Sequence, residues 1–276
     1  MVIQRWQIGV ETMKKRTLII LIILFILIIC GATCYISIYE QRKEKMEVIN
    51  RISRIHEIRE KEQIIPLEEI DKSKIESVNK MSGFYKNDIS SKNFIAENAE
   101  YIIIGTVTSI DGMTNYNPTI EDYVMARTVG TIKVDKVLKG DLKEDSISFV
   151  RVGGTLPLSE YEKSLPEAHR EKVGLNKISQ QEKENRFVTE IMEGDIEIEE
   201  GKTYLIYTSY ATDYERYSIQ FLQYGLREVE SSSINKDTNK KTLDSNEYET
   251  IKVKNNENGN YEKLSSVLPS KFKRDR

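Results

Sequence analysis

Glu193, Asp195, Glu197, Glu199 and Glu200 make up the densest acidic group of the chain. Side chains alternate along a strand, so an extended segment would put Glu193, Asp195, Glu197 and Glu199 on one face and Ile196 and Ile198 on the other. Several carboxylates on one face are what a hard cation such as Ca²⁺ requires. The spacing of an EF-hand loop is missing, and a solvated polar face explains the alternation equally well. A second group is aromatic: Tyr204, Tyr207, Tyr210, Tyr214, Tyr217 and Tyr224 crowd one expected hairpin. Of these, Tyr204, Tyr207, Tyr210 and Tyr217 are the candidate ligand-binding residues, because tyrosines stack on sugars and grip peptides. Tyr204 and Tyr210 should share a face, with Tyr207 opposite. Cross-strand aromatic packing would give the same pattern with no ligand.

Other chemistry is thinly represented. The two histidines, His56 and His169, are too few for a multi-histidine metal site, and neither lies in an H-E-x-x-H or near a G-x-S-x-G pattern. Both cysteines, Cys30 and Cys34, fall inside one apolar run, so the rest of the chain has no disulfide framework, thiolate zinc site or cysteine nucleophile. Gly153-Gly154 follows an expected strand, but no phosphate-loop pattern follows it. No catalytic residue, metal ligand or cofactor is assigned. A net charge of −3 gives no basic footprint, so nucleic acid is not an expected partner. The basic terminus Lys271, Lys273, Arg274 and Arg276 suits contact with anionic wall polymer or lipid headgroups, but short basic tails are common and usually mean only solubility.

The elements that must position these residues begin with the apolar run itself. Thr17–Tyr39 carries no charge and follows Lys14-Lys15-Arg16. As a helix it would be roughly 34 Å long, enough for a hydrocarbon core of about 30 Å. The run is longer than a signal-peptide core, and Ala32-Thr33-Cys34 makes a poor cleavage site. The expectation is an uncleaved anchor: a cytoplasmic tail at 1–16, a transmembrane helix at 17–39 in the lipid bilayer of the cell membrane, and an extracellular C-terminal domain.

Residues 40–93 read as a helical juxtamembrane stalk, with Met46, Ile49, Ile52, Ile55 and Ile58 recurring every third position. That period drifts around a helix and does not hold a coiled-coil seam. Pro66 ends the helix, and a second helical pattern follows over Leu67–Met81. From Phe94 the texture becomes β: Tyr101–Ile110, Tyr123–Leu138, Ile147–Val152, Thr203–Tyr210 and Tyr217–Gln223 are rich in Ile, Val, Thr and Tyr. The expected fold class is mainly β, with an OB-like β-barrel over 94–230, a polar insertion at 153–186, and a flexible tail at 231–276 with one strand at Tyr248–Val253.

An ordered series supports that expectation: Ala99–Val107 (AEYIIIGTV), then Thr131–Leu138 ending in Lys139-Gly140, then Glu200–Ile206 (EGKTYLI). It resembles the netrin-type module, an OB-like barrel found in tissue inhibitors of metalloproteinases and in complement proteins. It also resembles a group of exported Gram-positive, Firmicutes-type proteins with the same short motifs. The resemblance covers about Phe94–Val229 and implies the fold. The inhibitors act through an N-terminal cysteine that chelates the target's zinc. This region has no cysteine, so that mechanism does not carry over.

The function expected from these features is that of a membrane-anchored, extracytoplasmic binding or interaction protein. It would contact a protein or cell-wall ligand through the tyrosine-rich hairpin and the insertion. Two other classes stay open: a cell-envelope enzyme with an acidic or His169-dependent centre, and a structural assembly partner of another membrane protein.

Overall fold

The computed structural model describes residues 32–270, apart from 34, 51, 55, 58, 59, 84, 234–241 and 244. The chain divides into two units, Met1–Glu57 and Ile58–Arg276. In the first, residues 35–50 are helical, and Met46, Val48, Ile49 and Ile52 are exposed. This helix carries Glu40, Arg42, Lys43, Glu44, Lys45 and Glu47 in close succession. Those charges keep residues 40–47 out of a hydrocarbon core. Among the described residues no helix is long and apolar enough to cross a membrane. The single-pass anchor over 17–39 and the extracellular placement of the C-terminal domain are therefore corrected; 17–31 and 34 lie outside the described residues.

In the second unit the strands are β1 (Ile75–Met81), β2 (Tyr101–Asn117), β3 (Asp122–Lys139), β4 (Ser146–Val152), β5 (Gly154–Pro157), β6 (Phe187–Met192), β7 (Thr203–Ala211), β8 (Arg216–Ile219), β9 (Leu226–Glu228), β10 (Lys252–Lys254) and β11 (Tyr261–Lys263). The larger sheet runs β2-β3-β4-β8-β7-β9, and β2 also pairs with β7, so five strands close on themselves. All these pairings are antiparallel except β4 with β8, where Phe149 lies opposite Tyr217 and Val150 opposite Ser218. A three-stranded sheet, β1-β6-β5, lies outside this circuit.

Alternation along β2 and β7 explains where the core sits. Ile103, Val107, Tyr204 and Ile206 join residues of β3, β4 and β8 in one buried cluster. Ile102, Ile104, Leu205 and Tyr207 face the other way, into a second cluster. That second cluster contains Leu243, Tyr248, Ile251, Val253, Leu264, Val267 and Leu268 from the C-terminal segment, with Ile95 and Ala96 from the helix Lys92–Asn98. Strands covered on both faces read as unbroken apolar runs, and YIII and YLIY are such runs. The C-terminal segment, expected to be flexible, supplies the cover through the helices Ser245–Thr250 and Leu264–Val267 and the β10–β11 hairpin.

The mainly β expectation, an OB-like barrel behind a membrane helix and stalk, is corrected to a mixed α/β chain, about 38 % strand and 34 % helix. The closed sheet is one part of that architecture. The polar segment 153–186 is another: it folds as β5 followed by the short helices Leu158–Tyr161, Glu167–Lys172 and Gln180–Glu184. Leu158, Leu175 and Val188 form a small core beneath them. The expected helix at Leu67–Met81 is also corrected, to two 3-10 turns and β1. β1 is an edge strand held by parallel backbone pairing with β6, and most of its side chains are exposed. Its sequence therefore needs no apolar alternation.

Candidate binding cleft

The chain crosses from the closed sheet to the three-stranded sheet at Val152-Gly153-Gly154, and a cavity opens at that crossing. Gly153 has φ +101°, a left-handed conformation that suits glycine. A Cβ on Gly154 would stand 2.6 Å from Met113 Sδ, so glycine lets β5 approach β2 here without displacing that side chain. Ala126 of β3 fastens both sides. Its carbonyl accepts from Gly153 N–H at 2.8 Å, and its own N–H donates to Glu190 Oε2 at 2.8 Å. Thr128 adds a hydrogen bond from Oγ1 to the Gly153 carbonyl at 2.7 Å.

The cavity measures about 330 Å³, at the small end of ligand pockets. Leu67, Ile70, Ile110, Met113, Val152 and Ile198 supply apolar wall. Glu190 and Asp195 have buried side chains, while Glu197, Glu199 and Glu200, all exposed, share the lining with one lysine, Lys72; Glu199 pairs with Lys202 at 2.7 Å. Glu190 is the only charged residue of β6, and burial pushes its carboxyl above the ordinary glutamate value, opposed by the Ala126 N–H. Arg151, at the end of β4, pairs with Asp195 through Nη2, which also donates to the Ile196 carbonyl at 3.2 Å. The side chains of this pair are 4 % and 2 % exposed. Burial raises the Asp195 carboxyl, and the guanidinium opposes the shift.

The structure redistributes the residues singled out from the sequence. The acidic segment is not a strand. It runs as irregular chain after β6, with Ile196 and Ile198 packed on the enclosed core and Asp195 turned inward. Among the described residues no three His, Cys, Asp or Glu side chains stand together as a metal site. His169 is exposed on the helix Glu167–Lys172, away from the cavity lining. Tyr204 and Tyr207 are fully buried on opposite faces of β7. Tyr204 Oη accepts from Glu199 N–H at 3.1 Å, so it props the acidic segment from inside. Neither ring presents a surface to a ligand. Tyr210 and Tyr217 do meet, edge to face at 5.1 Å, with Tyr101 against Tyr217 at 5.5 Å. They belong to the enclosed core and its margin.

Arg151 and Glu190 were not singled out from the sequence. The available signal was an isolated charge at the end of an otherwise apolar strand pattern: SISFVRV before two glycines, and FVTEIM. Comparison with known proteins returns no matching family model, no matching curated protein and no matching solved structure.

Proposed function

We propose that this chain is a binding module whose cleft takes an organic cation with an apolar body, such as an alkylammonium or arylammonium group or a lysine side chain. The observation that carries the reading is Glu190: a buried carboxylate of a residue lining a cavity of mixed polar and apolar wall, with no ion pair among the described residues and with an acidic rim nearby. A buried charge is costly unless paired. Arg151 pairs with Asp195 and, among the described residues, makes no hydrogen bond to Glu190, so an incoming cation would supply Glu190 with a charge partner. The apolar wall would hold the ligand's body, as in small-molecule sites generally.

Thermal shifts with phenethylammonium, its neutral analogue phenethyl alcohol and the anion phenylpropionate test the class. Stabilisation by the cation alone supports the reading, since a ligand that binds only the folded state raises apparent stability. Equal stabilisation by all three, or none by any, contradicts it.

A further inference from the structure

A second cavity, of about 390 Å³, also borders the Arg151–Asp195 pair. It shares Arg151, Val152 and Asp195 with the first cavity, but its chemistry is the reverse. Tyr85, Phe94 and Phe221 give it an aromatic wall, and Lys86, Asn87, Ser218 and Gln220 line it with donors. Its charged lining is Lys86 and Arg151 against Asp195 alone. Both side-chain hydrogen bonds of Arg151 use Nη2; Nε and Nη1 carry none among the described residues. A guanidinium has five N–H donors in a planar fork suited to carboxylates.

The wall of this cavity is also backbone-strained. Phe221 and Leu222 both have left-handed φ, +62° and +50°, a conformation that non-glycine residues rarely adopt. A Cβ on Gly225 would fall 1.7 Å from the Gln220 carbonyl oxygen, so the turn closes tightly on itself. This geometry sets Phe221 edge to face on Phe94 at 6.2 Å.

We propose that the second cavity is an anion site: it takes a carboxylate carried on a flat apolar body, with Arg151 as its charge partner and Lys86 at its edge. A carboxylate on Nε and Nη1 competes with Asp195 for the guanidinium. As Arg151 is shared, more of the Asp195 charge faces the first cavity and strengthens its hold on a cation. The two cavities are thus coupled through one ion pair, and coupling of equilibrium affinities is reciprocal. The coupling rests on the cation proposed for the first cavity; the anion site does not.

Calorimetric titration of benzoate into the full chain, alone and with phenethylammonium present, tests this. Benzoate is expected to bind, to bind several-fold tighter when the cation is present, and to tighten the cation by the same factor. The double variant Arg151→Met/Asp195→Leu removes both charges together and so avoids an unpaired buried ion. It is expected to abolish benzoate binding while its thermal transition stays cooperative. Lys86→Gln is expected to weaken benzoate severalfold. Benzoate binding that is absent from the unmodified chain, or unchanged in the double variant, overturns the anion site. Independent binding of the two probes overturns the coupling. Loss of phenethylammonium binding with benzoate intact would overturn only the reading of the first cavity.

Discussion

The backbone N–H of Ala126 donates to Glu190 Oε2 at 2.8 Å, across the gap between β3 and β6. A main-chain donor that would ordinarily serve a neighbouring strand instead holds a buried carboxylate in place. The cleft is built around that substitution.

Glu190 has a raised folded-state value, so the sign of its pH effect is fixed. Between the ordinary glutamate value and the higher folded value, the folded state binds more protons than the unfolded one. Stability therefore falls as pH rises through that window. Glu190→Gln keeps an acceptor for Ala126 and removes the buried charge. It should raise stability at neutral pH and reduce the slope. Urea unfolding at a series of pH values checks this; an unchanged slope would show that burial does not control the group.

Breaking the Arg151–Asp195 pair from one side should be far worse than removing it whole. Arg151→Met leaves Asp195 buried and unpaired, at a cost of about 3–5 kcal/mol. The double change to Met and Leu should recover most of that loss. Chemical denaturation of the single and double variants measures the difference, and equal losses would contradict the pairing.

Tyr207 Oη is a buried polar atom with no hydrogen-bond partner, the one such side-chain atom among the described residues. Burial holds its phenol far above the ordinary range. Tyr207→Phe removes an unsatisfied hydroxyl while keeping the ring, so it should stabilise by about 1 kcal/mol. Tyr207→Ala should cost about 3–5 kcal/mol by leaving a cavity. Thermal unfolding of both variants distinguishes a core ring from a ligand contact.

Glu62 accepts two hydrogen bonds from Arg216 Nη1, at 2.9 and 2.8 Å, with its own side chain 1 % exposed. The pair ties the segment before Ile65 to the β7–β8 hairpin, and Ile65 exchanges backbone hydrogen bonds with Met113 beside the cleft. Glu62→Ala should speed amide exchange in both segments while leaving β2–β3 protection unchanged. Unaltered exchange at Ile65 would mean the pair is not what holds it.

The strands were the legible part of the sequence. Tyr101–Ile110 and Thr203–Tyr210 announced themselves by β-branched and aromatic content. Their unbroken apolar runs also carried a message that alternation alone misses: both faces are covered. The cover comes from Leu243 to Leu268, a polar-looking stretch whose few apolar residues sit at positions no local period reveals. β1 was illegible for a related reason, since parallel pairing with β6 is a backbone contact across more than a hundred residues. The cleft was hidden too. Asp195 sits in an alternating acidic run that imitates a solvated strand, and only the irregular path after β6 turns it inward to Arg151.

The central claim is that the Glu190 cleft binds an organic cation. The most direct measurement is calorimetric titration of phenethylammonium into the full chain and into Glu190→Gln across the pH range in which Glu190 ionises. The account predicts a single saturable site on the unmodified chain, affinity that rises with pH as Glu190 ionises, and about tenfold or greater weakening in the variant. Binding that is absent, or that keeps the same affinity and pH dependence after Glu190→Gln, would contradict it.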